Sequence, residues 1–329
     1  MEVETLKHAI DQSLSLSPIS LSIAFQGGEP TLWGDENYRQ YFKLVDAYGN
    51  GHSKIYHAIQ TNGLVISDQL MELIKSRHFL VGVSLDGSRS IHDKWRKDKE
   101  QNGTFSRVVH NIQRMKAANI AYNILCVVTN TVAENIQKVF FYYVSQGFSH
   151  LQFIPCMDPL GSAPGHQEYS LTSNLYGKFL IDLYDLWEEQ LMKGHYISIR
   201  QFDNYIYMLQ GQEPENCAMA GRCSPNFVIE ANGDVFPCDF YVVDSHRLGN
   251  ICSDSLAFLL EANQDFVMEQ RHLTECKACP YYFICRGGCK RDCIPISPQE
   301  SRNIYCQAYY QFFSQRLSRM RRLAHRSHF

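Results

Sequence analysis

Cys276-Lys277-Ala278-Cys279-Pro280-Tyr281-Tyr282-Phe283-Ile284-Cys285-Arg286-Gly287-Gly288-Cys289 places four thiols in fourteen residues, and Cys306 follows. Upstream stand Cys217-x5-Cys223 and Gly233-x4-Cys238. These eight thiols make two complete sets of four, the usual complement of two [4Fe–4S] clusters. A zinc ribbon wants two Cys-x2-Cys pairs about 15–20 residues apart, and only one such pair occurs here. A disulfide framework belongs to small secreted domains in oxidising compartments, which does not describe this chain. Iron–sulfur ligation is the better reading of the spacing, with zinc as the rival.

Composition agrees. The 329 residues have room for one large domain or two, and 45% apolar content can build a core. A net charge of −3 argues against nucleic acid and anionic membrane surfaces. No run approaches the roughly 18 apolar residues of a membrane span. Met1-Glu2-Val3-Glu4 lacks the basic start of a signal peptide. A cytoplasmic protein is expected, so its twelve cysteines are read as reduced thiols for metal binding or catalysis.

Outward from the cysteines, the first two thirds of the chain alternate. Apolar runs of strand length cover 19–25, 55–60, 79–85, 121–128 and 151–155. Helix-like stretches cover 36–48, 68–76, 105–118, 134–146 and 173–192, and an amphipathic stripe of Val3, Leu6, Ile10 and Leu14 predicts one more at the start. Apolar strands alternating with helices predict an α/β fold with a parallel sheet. Several strands end in polar or glycine turns: Gln26-Gly27-Gly28-Glu29, Thr61-Asn62-Gly63, Asp86-Gly87 and Thr129-Asn130. Barrel enzymes keep their sites at such strand ends. Near Tyr205 the alternation stops, which predicts one domain over 1–205 and a cysteine-rich one over 206–329.

Phe25-Gln26-Gly27-Gly28-Glu29-Pro30-Thr31 resembles the S-adenosylmethionine (SAM) motif of radical SAM enzymes, and the cysteine array resembles the SPASM domain that carries their auxiliary clusters. Gln60-Thr61-Asn62-Gly63, Ser84-Leu85-Asp86-Gly87, Arg96-Lys97, 123–128 and 281–291 extend the likeness across essentially the whole chain, to the anaerobic sulfatase-maturating enzymes. The resemblance implies a partial (β/α)6 radical SAM barrel followed by a SPASM domain and a C-terminal helix. It departs from the family in one place. The family's Cys-x3-Cys-x2-Cys loop belongs before the glycine motif, whereas 26 residues precede Gly27 here and the first cysteine is Cys126. The expectation is therefore a barrel missing its first strand, through a late start codon, truncation or degeneration, that does not cleave SAM as given. The third, SAM-binding cluster is expected only in a full-length form.

The implied activity is oxidation of a cysteine or serine in an unfolded sulfatase polypeptide to Cα-formylglycine. A SAM-derived radical takes hydrogen from the substrate Cβ, and a flavodoxin or ferredoxin-type donor supplies electrons to a monomeric enzyme. The resemblance assigns SAM contacts to Gly27, Gly28, Glu29, Pro30, Ser84 and Arg96. Paired glycines let backbone approach a ligand closely, Glu29 can balance an ammonium, and an arginine fork matches a carboxylate. Asp239, directly after Cys238, is implied as the base, and Gln26 and Met157 as substrate contacts. Cys217, Cys223, Cys238 and Cys289 are implied for the inner auxiliary cluster, and Cys276, Cys279, Cys285 and Cys306 for the outer. From the residues alone, Arg96 has a rival reading as a solvated member of the basic run 94–99, Ser84 as a strand-end hydroxyl, Gln26 as a strand-end amide and Met157 as apolar filler, and by spacing alone Asp239 reads as a turn residue.

Cys126, Cys156, Cys252 and Cys293 are left over, read as small buried hydrophobes with Cys293 a possible spare ligand. Gly287-Gly288 suits a turn that aims N–H groups at sulfur, and Tyr281-Tyr282-Phe283 suits apolar cover. His92-Asp93 reads as a polar helix start. The basic segment 316–326 reads as the solvated end of a last helix, with Phe312, Phe313 and Leu317 packed inward. Two alternatives stay open: a SPASM enzyme that modifies a ribosomal peptide, and a two-cluster protein without SAM chemistry.

Overall fold

The computed structural model describes residues 1–16, 19–48, 53–269 and 273–325. Six strands, β1 (Ser20–Phe25), β2 (Lys54–Thr61), β3 (Leu80–Ser84), β4 (Tyr122–Val128), β5 (His150–Pro155) and β6 (Ser198–Ile199), join in chain order into one parallel sheet. Five fall on the apolar runs. The sixth has two residues, too few for any periodicity to reveal. Helix α1 (Val3–Ser15) precedes the sheet. Helices α2 (Asp35–Tyr48), α3 (Asp68–Ser76), α4 (Arg89–Trp95), α5 (Phe105–Ala117), α6 (Asn130–Glu134), α7 (Ile136–Ser145) and α8 (Ser173–Met192) connect its strands, and α9 (Arg200–Leu209) follows it. Three of them, α3, α6 and α8, start on a capping hydroxyl. The hydroxyls of Ser67, Thr129 and Thr172 accept the backbone N–H groups of Leu70, Val132 and Leu175, donors that a helix start leaves without partners.

Contacts divide the chain into two compact, discontinuous units: residues 1–82, 113–121 and 223–269, and residues 83–112, 122–222 and 270–329. In the first unit, Phe25 packs edge-on against Tyr38 and Tyr41 and lies beside Trp33 and Phe79. The later part of this unit holds a three-stranded antiparallel sheet of β7 (Val228–Ile229), β8 (Asp234–Phe236) and β9 (Gly249–Asn250). The Gln12 amide of α1 ties that part down: it donates to Ile251 O at 2.8 Å and accepts from Leu256 N at 2.6 Å.

In the second unit, α10 (Cys217–Ala220) follows α9. The first unit contributes α11 (Leu256–Ala262) and α12 (Gln264–Met268) before the chain returns to the second for α13 (Tyr282–Cys285), the hairpin β10 (Cys293–Ser297) and β11 (Glu300–Asn303), and α14 (Cys306–Ala324). Helix α14 packs along α8 with Phe312, Phe313 and Leu317 buried, as the apolar spacing requires. Its basic end is not simply solvated. Arg316 and Arg319 form ion pairs with Asp185 of α8 at 2.6 Å each, and Arg319 also pairs with Glu188. Arg326 lies outside the described residues. Close approach is possible because α8 carries Gly177, where an added Cβ would sit 3.1 Å from the Ala308 backbone, in the same first turn of α14 as Cys306.

A Gly177→Leu replacement is expected to push the first turn of α14 away, costing about 1–3 kcal/mol of stability by overpacking. Chemical denaturation of the cluster-loaded protein measures the loss, and its iron content reports whether Cys306 moves with the helix. A second test concerns Asp203, buried at the start of α9, which accepts from Ser198 Oγ through one oxygen while the other has no partner among the described residues. Burial raises its carboxyl to about 6. A raised folded-state value means that the native state holds the proton more tightly, so stability is lost as pH rises from the ordinary carboxyl range through about 6. Asp203→Asn should therefore be the more stable protein at pH 7.5, with an advantage that shrinks by pH 5.5.

Candidate functional site

At the end of β1 the chain makes its glycine turn. Gly27 and Gly28 adopt φ of +91° and +56°, and a Cβ at either would meet nothing within 4 Å. The left-handed backbone explains why glycine stands at both positions, and the open space leaves their backbone accessible. A cavity of about 690 Å³ lies here, lined by Gln26 through Pro30, Trp33, and Leu6 and Ile10 of α1. Glu29 closes the turn. Its Oε1 accepts from Thr31 N (3.1 Å), Thr31 Oγ1 (2.7 Å) and Thr61 Oγ1 (2.7 Å), and its Oε2 accepts from Asn62 N (2.7 Å). No cation pairs with it among the described residues. The cradle therefore offers close backbone approach and an uncompensated carboxylate, which fit the ammonium end of SAM.

Gln26 does something that the sequence did not show. Its Nε2 donates to Asp239 Oδ2 at 2.8 Å, across 213 residues of chain. The Cys238 thiol donates to the other oxygen, Oδ1, at 3.4 Å. Asp239 is thus no free turn residue but a carboxylate held at both oxygens, in the same unit as the glycine cradle. Cys223 belongs to this unit too.

In the second unit, Arg96 closes α4 and pairs with Asp86: Nε to Oδ2 at 2.5 Å and Nη2 to Oδ1 at 3.4 Å. Its side chain is 26% exposed, so the solvated reading fails. Ser84 ends β3, two residues before Asp86, and is half-buried. His92 and Asp93 sit within α4 rather than at its start. His92 is fully buried, and Asp93 accepts Phe105 N. Met157 follows β5 and is also half-buried.

Cys276, Cys279, Cys285 and Cys306 line one cavity of about 400 Å³ together with Tyr281, Tyr282, Tyr309, Tyr310 and Phe313. Burial pushes the Cys285 thiol up to about 12, opposed by a hydrogen bond from the Gly287 backbone and reinforced by the neighbouring Cys306, Cys276 and Cys279. The turn behind it is left-handed at three successive residues, Arg286, Gly287 and Gly288, and so delivers the N–H that the glycine pair predicted. A tetrahedral zinc ion at about 2.3 Å from each sulfur requires four tightly converging thiolates. Here the four thiols share one cavity. Phe283 is not part of the lining and is 49% exposed, so the apolar cover comes from Tyr281, Tyr282 and α14 instead. Cys217 and Cys289 also lie in this unit, and Arg291 N donates to Cys289 Sγ at 3.4 Å. Of the four spare cysteines, Cys126 is buried, Cys156 and Cys293 are half-buried, and Cys252 is exposed.

Comparison with known proteins accounts for these features together. Residues 2–140 match the radical SAM superfamily, and residues 217–280 match the SPASM iron–sulfur cluster-binding domain. The cysteine-type anaerobic sulfatase-maturating enzyme of Clostridium novyi (strain NT) is 37% identical over 100% of this chain and 90% of its own. The serine-type enzyme of Bacteroides thetaiotaomicron is 28% identical over 95% of this chain and 80% of its own. A solved structure described as native anSMEcpe with bound AdoMet and Kp18Cys peptide superposes with a TM-score of 0.93 at 38% identity, covering 98% of this chain and 91% of that one. With the glycine cradle, the cysteine array and a relative this similar along its full length, the chain belongs to the anaerobic sulfatase-maturating enzymes, radical SAM proteins with a SPASM domain.

Proposed function

We propose that this protein oxidises a cysteine in a sulfatase polypeptide to Cα-formylglycine. The observation that carries the reading is Asp239, set beside Cys238 and held by Gln26 at the end of the strand that leads into the glycine cradle. When bound, SAM and its reducing cluster supply the hydrogen-atom acceptor, and two auxiliary clusters supply an exit for the second electron. The substrate Cβ loses a hydrogen atom, then an electron, and its thiol gives up a proton to Asp239. The resulting thioaldehyde is hydrolysed to the aldehyde and hydrogen sulfide. A metal-bound cysteine is deprotonated, so cluster loading removes the Cys238 S–H donor and leaves Asp239 Oδ1 open to the proton. Gln26 keeps the other oxygen in place, and its carbonyl oxygen is left for the substrate backbone.

Cys276, Cys279, Cys285 and Cys306 are assigned to the outer cluster, and Cys217, Cys223, Cys238 and Cys289 to the inner one. Gly27 to Pro30, Ser84 and Arg96 are assigned to SAM, and Met157 to the substrate cavity. The SPASM function belongs to residues 206–329 and the barrel function to 1–205. Higher identity to cysteine-type than to serine-type relatives favours a cysteine client. We assign a monomer working in the cytoplasm with a flavodoxin or ferredoxin-type electron donor. No helix among the described residues is long and apolar enough to cross a membrane.

The 329 residues contain no Cys-x3-Cys-x2-Cys run, so by themselves they are expected to hold two clusters and not to cleave SAM. Anaerobic reconstitution should load about eight irons with matching sulfide, and Cys276→Ala with Cys306→Ala should reduce this to about four. Zinc at one or two equivalents without stable iron would overturn the cluster assignment. In any form of the protein that cleaves SAM, Asp239→Asn should leave cleavage intact. Formylglycine yield from a Cys-x-Pro-x-Arg peptide should fall about 10²- to 10⁴-fold, the usual contribution of a general base. Undiminished product from that variant removes Asp239 from the reaction.

A further inference from the structure

Arg96 does not meet its ligand as a free side chain, because a closed ring of hydrogen bonds surrounds it. Asp86 takes the Nε and Nη2 side of the guanidinium and also accepts Val127 N at 2.8 Å. Asp86 N donates to His92 Nδ1 at 3.1 Å. That contact requires His92 to carry its proton on Nε2, which lies 2.9 Å from Thr104 Oγ1. The Thr104 hydroxyl in turn donates to Arg96 O at 2.9 Å, and Arg96 N donates to His92 O at 2.9 Å. Every donor in the circuit has an acceptor. Tyr143 braces the peptide on either side of Asp86: its hydroxyl donates to Leu85 O at 2.5 Å and accepts from Gly87 N at 2.8 Å. Burial lowers His92 to about 4, which keeps the ring nitrogen at Asp86 an acceptor.

Arginine has two edges that can bind a carboxylate in parallel, the Nε side and the Nη1–Nη2 end. Asp86 fills the first. Nη1 makes no hydrogen bond among the described residues, so the second edge is left for a ligand. A lone arginine would lose rotamer freedom on binding, whereas this one is already ordered.

We propose that Asp86 is the positioning residue for SAM recognition: through the His92–Thr104 ring it presents the Nη1–Nη2 edge of Arg96 to the ligand carboxylate. The proposal rests on the assignment of Arg96 to that carboxylate. Its test compares SAM with decarboxylated SAM by equilibrium binding to the cluster-loaded 329-residue chain, which requires no turnover. Wild type should prefer SAM about tenfold to a hundredfold, the range for a charge-assisted hydrogen bond. Asp86→Asn, which keeps the shape and an acceptor for Val127 N, should lose most of that preference while binding the decarboxylated compound as before. A general loss of folding would weaken both compounds alike, so the ratio separates positioning from damage. Should Asp86→Asn unfold by circular dichroism, Thr104→Val opens the ring with the ion pair in place and should lower the same ratio. If Arg96→Ala abolishes the preference but Asp86→Asn and Thr104→Val keep it, the positioning role is wrong and the Arg96 assignment stands. If Arg96→Ala leaves the preference unchanged, the assignment fails and the proposal fails with it.

Discussion

One carboxylate organises the cofactor end of the first unit. Glu29 receives four hydrogen bonds from three residues, two of them at the end of the neighbouring strand. This ties the end of β1 to the end of β2 and fixes a turn whose two glycines hold left-handed φ. Glu29 is half-buried and these bonds hold both of its oxygens, so Thr31, Thr61 and Asn62 are as much a part of the cradle as the glycines. Tyr38 adds a hydrogen bond to Pro30 O at 3.0 Å, and the rings of Phe25, Trp33 and Tyr38 fill the space beneath. The cradle is rigid because local hydrogen bonds and aromatic packing agree.

The same economy governs the two other polar centres. Around Arg96, a neutral histidine and a threonine close a circuit with Asp86 so that one guanidinium edge stays available. Behind Cys285, three successive left-handed residues turn the backbone toward sulfur, and Asn303 locks that turn by donating to Gly287 O at 3.0 Å and accepting from Tyr305 N at 2.8 Å. Gly288 lies so close to the Asn303 amide that a Cβ would come within 2.4 Å of it. In each centre the side chain or turn at issue is held by hydrogen bonds from its neighbours.

Much of this was legible in the chain. The five longer strands and α3 and α8 follow from apolar periodicity and capping hydroxyls, which act locally. Cys276, Cys279, Cys285 and Cys306, marked out by their spacing, line one cavity. The glycine pair and the Gly287-Gly288 turn are legible for a backbone reason: only glycine takes such φ values at little cost. Less visible were Arg286, a non-glycine at φ +50°, and the two-residue strand β6. The pairing of Arg316 and Arg319 with α8 was hidden as well, because charge pattern on one helix says nothing about the helix beside it.

The sequence by itself determined the chemistry available: a glycine turn after an apolar strand, a closely spaced array of thiols, and an aspartate next to one of them. These are statements about residue type and short spacing, which neighbouring residues enforce without help from the fold. Tertiary structure alone decided which polar groups meet. Gln26 reaches Asp239 across 213 residues, and Asp86 becomes the partner of Arg96 only because β3 and α4 bring them together. A hydrogen bond is directional and satisfied within about 3 Å, so whether two distant side chains form one depends on the packing of the elements that carry them.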